Sequence, residues 1–243
     1  TPNGLSFNND GTKMFVTGHD GDDVNEYKLT TGFDISTATF VDSFSVRSED
    51  NDSRDVKFNQ DGTKMFVLGK QNDRVCEYTL STGFDVSSTV TFVDCASVSE
   101  ESKPNELEFN PDGTKMFVMG ESGDDVNEYT LSTGFDVSTA TFVDSFSVSS
   151  EETTPMGLAF TYDGTKMFVT GWQNDTIIEY KLGTAFDVST ATLGDSYAIP
   201  DSVDNKPQGL TFSSDGSKLF LLGRENNKVY EYSLTCYYGV INC

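Results

Sequence analysis

The feature that most constrains the fold is an internal repeat that covers almost the whole chain. The dipeptide Asp-Gly, followed by Thr or Ser and then Lys, begins at Asp10, Asp61, Asp112, Asp163 and Asp215. By subtraction, successive copies are 51, 51, 51 and 52 residues apart. The copies occupy approximately residues 1–51, 52–102, 103–153, 154–205 and 206–243. We therefore expect one repetitive domain over 1–243.

Each copy contains four β-like segments and shows no helical periodicity. Val, Phe, Tyr and Thr dominate these segments, and Gly, Asp and Asn separate them. Residues 65–68 are apolar on both faces, as in a sheet packed between two other sheets. In the first copy the segments are Gly4–Asn8, Lys13–Thr17, Val24–Leu29 and Thr39–Val46. The pattern predicts an all-β, five-bladed β-propeller with four antiparallel strands per blade, and a linear β-solenoid is the alternative.

The fifth copy departs from this pattern after Leu234, where TCYYGVINC replaces the usual fourth strand. Either Tyr237–Asn242 forms an abbreviated fourth strand of blade five, or the ring closes in another way. Because the sequence begins with Thr1 rather than Met, we also expect that a leader, tag or upstream domain has been removed or omitted.

The repeated text resembles two groups of known repeats. The pattern GLxFxxDGxKxFVxG followed by VxEYxL is similar to YVTN/lactonase-like propeller repeats. The longer text LSTGFDVSTATFVDSFSVSS resembles the long DGTKMFV repeat proteins of marine bacteria and phages. These resemblances cover all five copies and imply a propeller fold, but they imply no particular function, because propellers carry unrelated activities.

The charge of the chain excludes several classes of partner. With 39 acidic and 16 basic residues, the net charge is −23. Nucleic-acid binding needs clustered Lys and Arg, and an anionic membrane surface would repel the chain. No apolar run approaches the roughly 20 residues that span a bilayer. We therefore expect no nucleic-acid partner and no membrane insertion. Strong acidity also suits a saline, marine setting.

The four cysteines form two local pairs. Cys76 lies in the third strand of the second copy and Cys95 in its fourth strand. An antiparallel register that pairs Leu80 with Thr91 places them opposite each other and predicts a disulfide. Cys236 and Cys243 could close a small loop at the C-terminus, and four unrelated buried thiols are the alternative. Two disulfides predict an extracellular, periplasmic or virion-surface location.

Comparison of the five copies separates constant positions from varied ones. The Asp-Gly turn and the Glu-Tyr pair recur in every copy, so we attribute them to the fold. Two other positions differ between copies. The residues after the glycine that ends the second strand are His19, Lys70, Glu121, Trp172 and Arg224. The residues two before the Leu or Val of the first strand are Asn3, Arg54, Asn105, Met156 and Gln208.

Both varied positions are expected on one face of the disc. In a four-stranded meander, the loop between strands two and three and the loop between blades leave the same edge. We call this side the varied face, and the opposite side, with the Asp-Gly turns, the turn face. Different polar and aromatic side chains on a rigid scaffold predict a recognition surface, with drift of exposed loops as the alternative. The expected ligand-binding residues are Trp172, His19, Lys70, Glu121, Arg224, Arg54, Asn105 and Gln208.

Two weaker chemical alternatives remain. Asp55 and Glu106 replace a first-strand glycine in adjacent blades, and such a pair could act as the acid and base of a glycoside hydrolase. Asp20, Asp22 and Asp23 could bind calcium, although their spacing does not match an EF-type loop and solvated acidic turns are the default.

Together these observations favour a non-enzymatic binding or adhesion propeller outside the cell or on a virion. Its partner would be a glycan or a cell-surface or virion protein, with no cofactor expected beyond possible calcium. The alternatives are a structural or decoration module of a larger assembly and, less favoured, a glycoside hydrolase.

Overall fold

The computed structural model describes residues 1–200 and 203–239. They form five antiparallel sheets, and the first strand of each sheet contacts the first strands of its two neighbours. The contact between β1 (Pro2–Phe7) and β17 (Pro207–Phe212) joins the fifth sheet to the first and closes the ring. The predicted all-β, five-bladed propeller is confirmed.

Blades one to four are four-stranded meanders, and the described part of blade five has three strands. Blade one continues with β2 (Lys13–Gly18), β3 (Asp23–Leu29) and β4 (Ala38–Ser45). Blade two contains β5 (Ser53–Phe58), β6 (Lys64–Gly69), β7 (Arg74–Leu80) and β8 (Val90–Ser97). Blade three contains β9 (Pro104–Phe109), β10 (Lys115–Gly120), β11 (Asp125–Leu131) and β12 (Ala140–Ser147).

Blade four contains β13 (Pro155–Phe160), β14 (Lys166–Gly171), β15 (Thr176–Leu182) and β16 (Ala191–Ala198). Blade five adds β18 (Lys218–Gly223) and β19 (Lys228–Ser233) to β17. Short 3₁₀ helices precede three of the fourth strands, at Ile35–Thr37, Val137–Thr139 and Val188–Thr190. Apolar side chains of neighbouring blades pack between the sheets, so the core is a series of layers around the axis.

The Asp-Gly turns are built alike in every blade. In blade three, Asp112 Oδ1 accepts hydrogen bonds from the N–H and the hydroxyl of Thr114, at 3.0 and 2.6 Å. Gly113 has a φ of +71°, and the ring of Phe135 packs where its side chain would lie. Phe135 is itself left-handed, with a φ of +56°. This conformation costs a non-glycine residue about 1–2 kcal/mol, which the packing on the glycine offsets.

A lysine and a glutamate link neighbouring blades. In blade two, Lys64 Nζ lies 2.7 Å from Glu77 Oε1 and donates to the Phe135 carbonyl of blade three at 2.6 Å. The other oxygen of Glu77 accepts from the N–H of Val137 in blade three, at 3.2 Å. The lysine of each turn thus pairs with a carboxylate in the third strand of its own blade. Because Glu77 is only 3% exposed, removing it would leave buried groups without partners, which costs more than breaking a surface pair.

The same link closes the ring between blades five and one. Lys218 Nζ donates to the Phe33 carbonyl at 2.7 Å, and the Ile35 N–H donates to Glu231 Oε2 at 3.2 Å. The same two contacts link blade one to two, blade two to three and blade three to four. Among the described residues, the contacts that join blade five to blade one are non-covalent.

Blade five ends differently from the other blades. Tyr238 has a φ of +50° and packs against Gly216, in the way that Phe186 packs against Gly164 in blade four. Tyr237 and Tyr238 therefore belong to the turn after β19. The expected strand at 237–242 is wrong at these two residues, and 240–242 lie outside the described part of the chain. Up to residue 239, no fourth strand covers β19.

The fourth strands form the rim of the disc, and each contains a β-bulge. In blade three, Phe142 pairs with Tyr129 and Asp144 with Glu128, so Val143 is an extra residue on β12. Phe142 is 41% exposed and Val143 50%. Blades one and two expose the equivalent Phe–Val pairs. Bulges on edge strands hinder pairing with strands of other molecules.

The predicted disulfide between Cys76 and Cys95 is present, with Cα atoms 4.1 Å apart. The two cysteines face each other in the pairing of β7 with β8. Near the turn, Leu80 pairs with Val90 rather than with Thr91 as expected. The bulge in β8 shifts the register by one residue and brings the cysteines opposite each other.

The second predicted disulfide, Cys236–Cys243, involves Cys243, which lies outside the described residues. The Cys76–Cys95 bond by itself favours an oxidising compartment. Among the residues that the structure describes, no helix has the length and apolar character needed to cross a bilayer.

Candidate functional site

The five first strands line the axis of the ring, where the blades differ. At one level, blades two and three have Asp55 and Glu106, and the other three blades have glycine. A side chain at Gly4 would collide with Asp55, and one at Gly209 would lie 3.4 Å from Glu106 Oε2. The glycines therefore leave the space that the two carboxyl groups fill.

Asp55 and Glu106 belong to a buried charge cluster. Lys57 Nζ lies 3.3 Å from Asp55 Oδ2, 3.3 Å from Glu106 Oε1 and 3.0 Å from Glu108 Oε1. Asp55 Oδ2 also accepts from the N–H of Leu107 at 3.1 Å. We call Asp55, Lys57, Glu106 and Glu108 the axial cluster. It contains three carboxyl groups and one ammonium group.

The titration of the axial cluster follows from its burial. Burial raises the pKa of Asp55 and of Glu108. Burial and the neighbouring Asp55 carboxylate raise the pKa of Glu106 well above its ordinary value. Burial opposes the charge on Lys57, but the three carboxylates raise its pKa well above its usual range. Among the three carboxyl groups of the cluster, Glu106 is therefore the one that holds a proton most readily.

This geometry does not suit the glycoside-hydrolase alternative. Asp55 and Glu106 are 0% and 1% exposed, so a sugar does not reach them. One ammonium group, Lys57 Nζ, lies 3.3 Å from an oxygen of each carboxyl group and holds both in place. A glycoside hydrolase instead needs two carboxyl groups that flank a bound sugar.

On the varied face, the predicted ligand-binding residues form local groups. His19 Nδ1 lies 3.0 Å from Asp52 Oδ1, and an Arg54 guanidinium nitrogen donates to the other oxygen of Asp52 at 2.8 Å. Blades one and two are thus connected at this edge of the axis. His19 is exposed, whereas Arg54 is mostly buried.

A second group joins blades two, three and four. Lys70 Nζ donates to Glu121 Oε1 at 2.8 Å. The side-chain amide of Asn105 donates to the same Glu121 oxygen at 3.3 Å and to the carbonyl of Pro155 at 3.2 Å. Hydrogen bonds from Lys70 and Asn105 lower the pKa of Glu121 against the effect of its partial burial.

A third group contains the single tryptophan. The Arg224 guanidinium lies 4.6 Å from the centre of the Trp172 ring, a cation–π contact. Trp172 is half-buried. The guanidinium from the next blade covers the ring. Gln208 Nε2 lies 3.7 Å from Met156 Sδ at the neighbouring position.

Four of the predicted residues have a buried polar atom without a hydrogen-bond partner. Asn105 and Gln208 are fully buried, and such groups are normally paired with protein or with another polar molecule. Two of the four atoms are donors and two are acceptors. They are Arg54 Nε, Trp172 Nε1, Asn105 Oδ1 and Gln208 Oε1.

The calcium alternative gains no support. The Asp20 carboxylate contacts the N-terminal amine. Asp22 is buried in a left-handed turn, with a φ of +51°. Asp23 lies at the start of β3. In the described part of the chain, no group of three or more His, Cys, Asp or Glu side chains is arranged to hold a metal ion.

A cavity of about 260 Å³ opens at the other end of the axis, on the turn face. Lys57 and Glu108 line it, together with phenylalanines of the first strands and of the left-handed turns. A second lobe of about 220 Å³ shares Glu108 with the first. We call the two lobes together the turn-face cup. The sequence comparison did not predict a site here, because the Asp-Gly turns are constant and were attributed to the fold. The residue before each turn nevertheless differs in every copy.

Comparisons with known proteins extend the result for the fold. No protein-family model and no curated protein matches the sequence. Solved structures do match. A proposed 6-phosphogluconolactonase of Bacteroides fragilis superposes with a TM-score of 0.59 at 13% identity, over 94% of this chain and 65% of that one. This chain thus spans less than two thirds of that relative.

Two further structures are similar. A periplasmic gluconolactonase of Pseudomonas aeruginosa matches with a TM-score of 0.58 at 15% identity, over 100% of this chain and 68% of that one. A protein from Lactobacillus plantarum matches with a TM-score of 0.62 at 12% identity, over 98% and 68%. At such identities the likeness concerns the fold alone. The chain is a five-bladed β-propeller with lactonase-like structural neighbours.

Proposed function

We propose that this propeller is a binding module that recognises a polyhydroxylated ligand, such as a glycan, at the mouth of the axis on its varied face. The observation that carries the proposal is the set of unpartnered buried atoms on Arg54, Asn105, Trp172 and Gln208. A hydroxyl group both donates and accepts hydrogen bonds, so a sugar matches this mixture of donors and acceptors. The Cys76–Cys95 disulfide supports a role outside the cytoplasm, in the extracellular space, the periplasm or on a virion.

Pairing within the ring also supports binding. Three local groups hold the side chains in place before any ligand arrives, which lowers the entropy lost on binding. Preorganised residues from several blades offer neighbouring subsites, and weak contacts to one glycan would add through avidity.

The test is a glycan-array screen of the wild-type protein beside three variants. Trp172→Phe keeps an aromatic ring but removes the N–H donor and part of the ring surface, and Gln208→Leu removes the amide. Asp195→Asn, on the exposed outer strand of blade four, is the matched control. We expect glycan binding that weakens at least about tenfold in the first two variants and is unchanged in the control. Binding that persists in both variants, or no binding at all, would contradict the proposal.

A second candidate is a structural module that associates with further copies of this chain. Two observations favour it: the exposed Phe–Val pairs of the fourth strands, such as Phe142 and Val143, and β19 of blade five, beside which the described residues place no fourth strand. A cleft of about 220 Å³, lined by Ile177, Leu219 and Tyr232 among others, lies beside that strand. Sedimentation equilibrium separates the candidates, because a structural module would self-associate in the absence of glycan.

A further inference from the structure

The turn-face cup has constant walls and a varied lining. A phenylalanine ends each first strand, and the left-handed turns add Phe33, Phe84, Phe135 and Phe186 in blades one to four and Tyr238 in blade five. Two other positions differ in every blade. The floor residues are Ser6, Lys57, Glu108, Ala159 and Thr211. The rim residues, just before each Asp-Gly turn, are Asn9, Gln60, Pro111, Tyr162 and Ser214. The walls of the cup are therefore aromatic in every blade. The residues that differ between blades lie on its floor and rim, where they would contact a bound molecule.

The floor of the cup is acidic. Glu108 is the carboxylate of the axial cluster that reaches the cup, with 18% of its side chain exposed. Lys57 is the one ammonium group of the axial cluster and is shared by three carboxyl groups, so the cluster stays negative even when Glu106 is protonated. A cation near Glu108 would compensate the remaining charge, and an anion would be repelled.

The rim of the cup adds to this acidity. Each rim residue is followed directly by the aspartate of an Asp-Gly turn. Hydrogen bonds from Thr12 lower the pKa of Asp10, and those from Thr114 lower the pKa of Asp112. The equivalent aspartates of the other blades have lowered pKa values for the same reason. Five ionised carboxylates therefore surround the opening and attract cations from solution.

We infer that the turn-face cup is a second binding site, separate from the varied face, which takes a small organic cation with a flat apolar body. The phenylalanine walls would contact the apolar body and the positive charge, since ammonium groups are attracted to aromatic faces. Glu108 would accept a hydrogen bond from the ammonium group. Tyr162, which is 63% exposed, would cover the ligand from the rim. The volume of about 260 Å³ limits the ligand to a single-ring or short-chain amine.

The probe for this site is benzylammonium, with benzyl alcohol as the neutral analogue and benzoate as the anion. Binding is measured by isothermal titration calorimetry at neutral pH and low ionic strength. We expect saturable binding of benzylammonium, at least about tenfold weaker binding of benzyl alcohol, and none of benzoate. Equal affinity for the alcohol, or no saturable binding of the cation, would overturn the inference.

Variants then locate the site. Glu108→Gln keeps the shape of the side chain and removes its charge, and we expect at least about tenfold weaker binding of the cation. Tyr162→Ser tests the rim without a risk to folding, because only its backbone N–H is hydrogen-bonded, to the Tyr238 hydroxyl. Asp195→Asn removes one distant carboxylate and controls for attraction to the acidic surface as a whole. Binding that both cup variants retain would mean non-specific attraction and would overturn the inference. Trp172→Phe should leave cation binding unchanged, which separates this site from the glycan site.

Discussion

The contacts between blades use the same residues from copy to copy, whereas the contacts at the axis use different residues in different blades. Between blades, the same lysine, glutamate and left-handed aromatic residue recur, as in Lys64, Glu77 and Phe135. At the axis, neighbouring blades place Gly4, Asp55 and Glu106 at the same level. An interface residue must fit both its own blade and the next, so one unsuitable copy destabilises the ring. An axial residue contacts mainly the axial residues of other blades, so the blades differ there where their residues complement one another, as Gly4 leaves room for Asp55.

The two regions also differ in the titration of their carboxyl groups. Turn aspartates have lowered pKa values because hydroxyl and N–H groups stabilise the charged form. The axial carboxyl groups have raised pKa values because burial disfavours the charged form. Charge stabilises the fold at the Asp-Gly turns and opposes it in the axial cluster. Stability should therefore depend on pH in opposite directions at the axial carboxyl groups and at the turn aspartates.

The largest effect is expected from breaking one link between blades. Glu77→Ala leaves Lys64 without its carboxylate and the Val137 N–H without its acceptor, and we expect a loss of about 3 kcal/mol in the free energy of unfolding. The side chain of the equivalent Glu231, at the closing interface, is 23% exposed, so Glu231→Ala should cost only about 1 kcal/mol. Urea titrations of both variants measure the difference. Equal costs would show that burial does not set the strength of the link.

The next effect comes from blade two, where a disulfide departs from the repeat. Cys76 and Cys95 are 19 residues apart, and replacing both by Ser should lower the free energy of unfolding by about 2 kcal/mol. The wild type under reducing conditions should match the double variant. If reduction leaves the wild type unchanged, the disulfide contributes nothing beyond the contacts of its strands.

The sequence predicts much of the periphery and less of the axis, for physical reasons. Residues that the fold requires in each blade recur in all five copies, so the strand order follows from the repeat. The Cys76–Cys95 pair follows from the spacing of two neighbouring strands. The half-buried state of Trp172 does not follow, because it depends on Arg224 from the next blade, 52 residues away in sequence. The axial pair Asp55 and Glu106 was identifiable as a glycine replacement. Its burial depends on how closely five backbones approach, which no single copy reveals.

A smaller effect tests the axis through its pH dependence. Because the pKa of Glu106 is raised in the folded state, the folded protein binds this proton more tightly than the unfolded chain. The stabilising effect is therefore complete below the unfolded pKa, near 4.3, and is lost as the pH rises through the folded value. Glu106→Gln mimics the protonated form at every pH. We expect equal stability of variant and wild type at low pH, and a gain for the variant that grows to about 1 kcal/mol near pH 8.

Thermal or urea unfolding across this pH range measures that difference, and Asp195→Asn controls for the loss of one negative charge from an acidic protein. A variant that is less stable than the wild type at high pH would mean that Glu106 is ionised in the folded state. In that case the axial cluster would act as a stabilising ion-pair network.

The smallest effect comes from the turns, and it has the opposite sign with pH. Asp112→Ala removes two hydrogen bonds at an exposed turn and should cost roughly 0.5 kcal/mol at neutral pH. Since the pKa of Asp112 is lowered in the folded state, this contribution is present above the unfolded pKa, near 3.9, and is lost as the pH falls through the folded value.

Asp61→Ala should behave in the same way, because the same hydrogen bonds recur there. Urea titrations of both variants supply the comparison. Equal costs would show that these turns are interchangeable between blades, as their repetition indicates. If the costs of the two substitutions differ by more than about 0.5 kcal/mol, the varied residues near the axis influence the stability of the Asp-Gly turns. The two regions would then be energetically coupled.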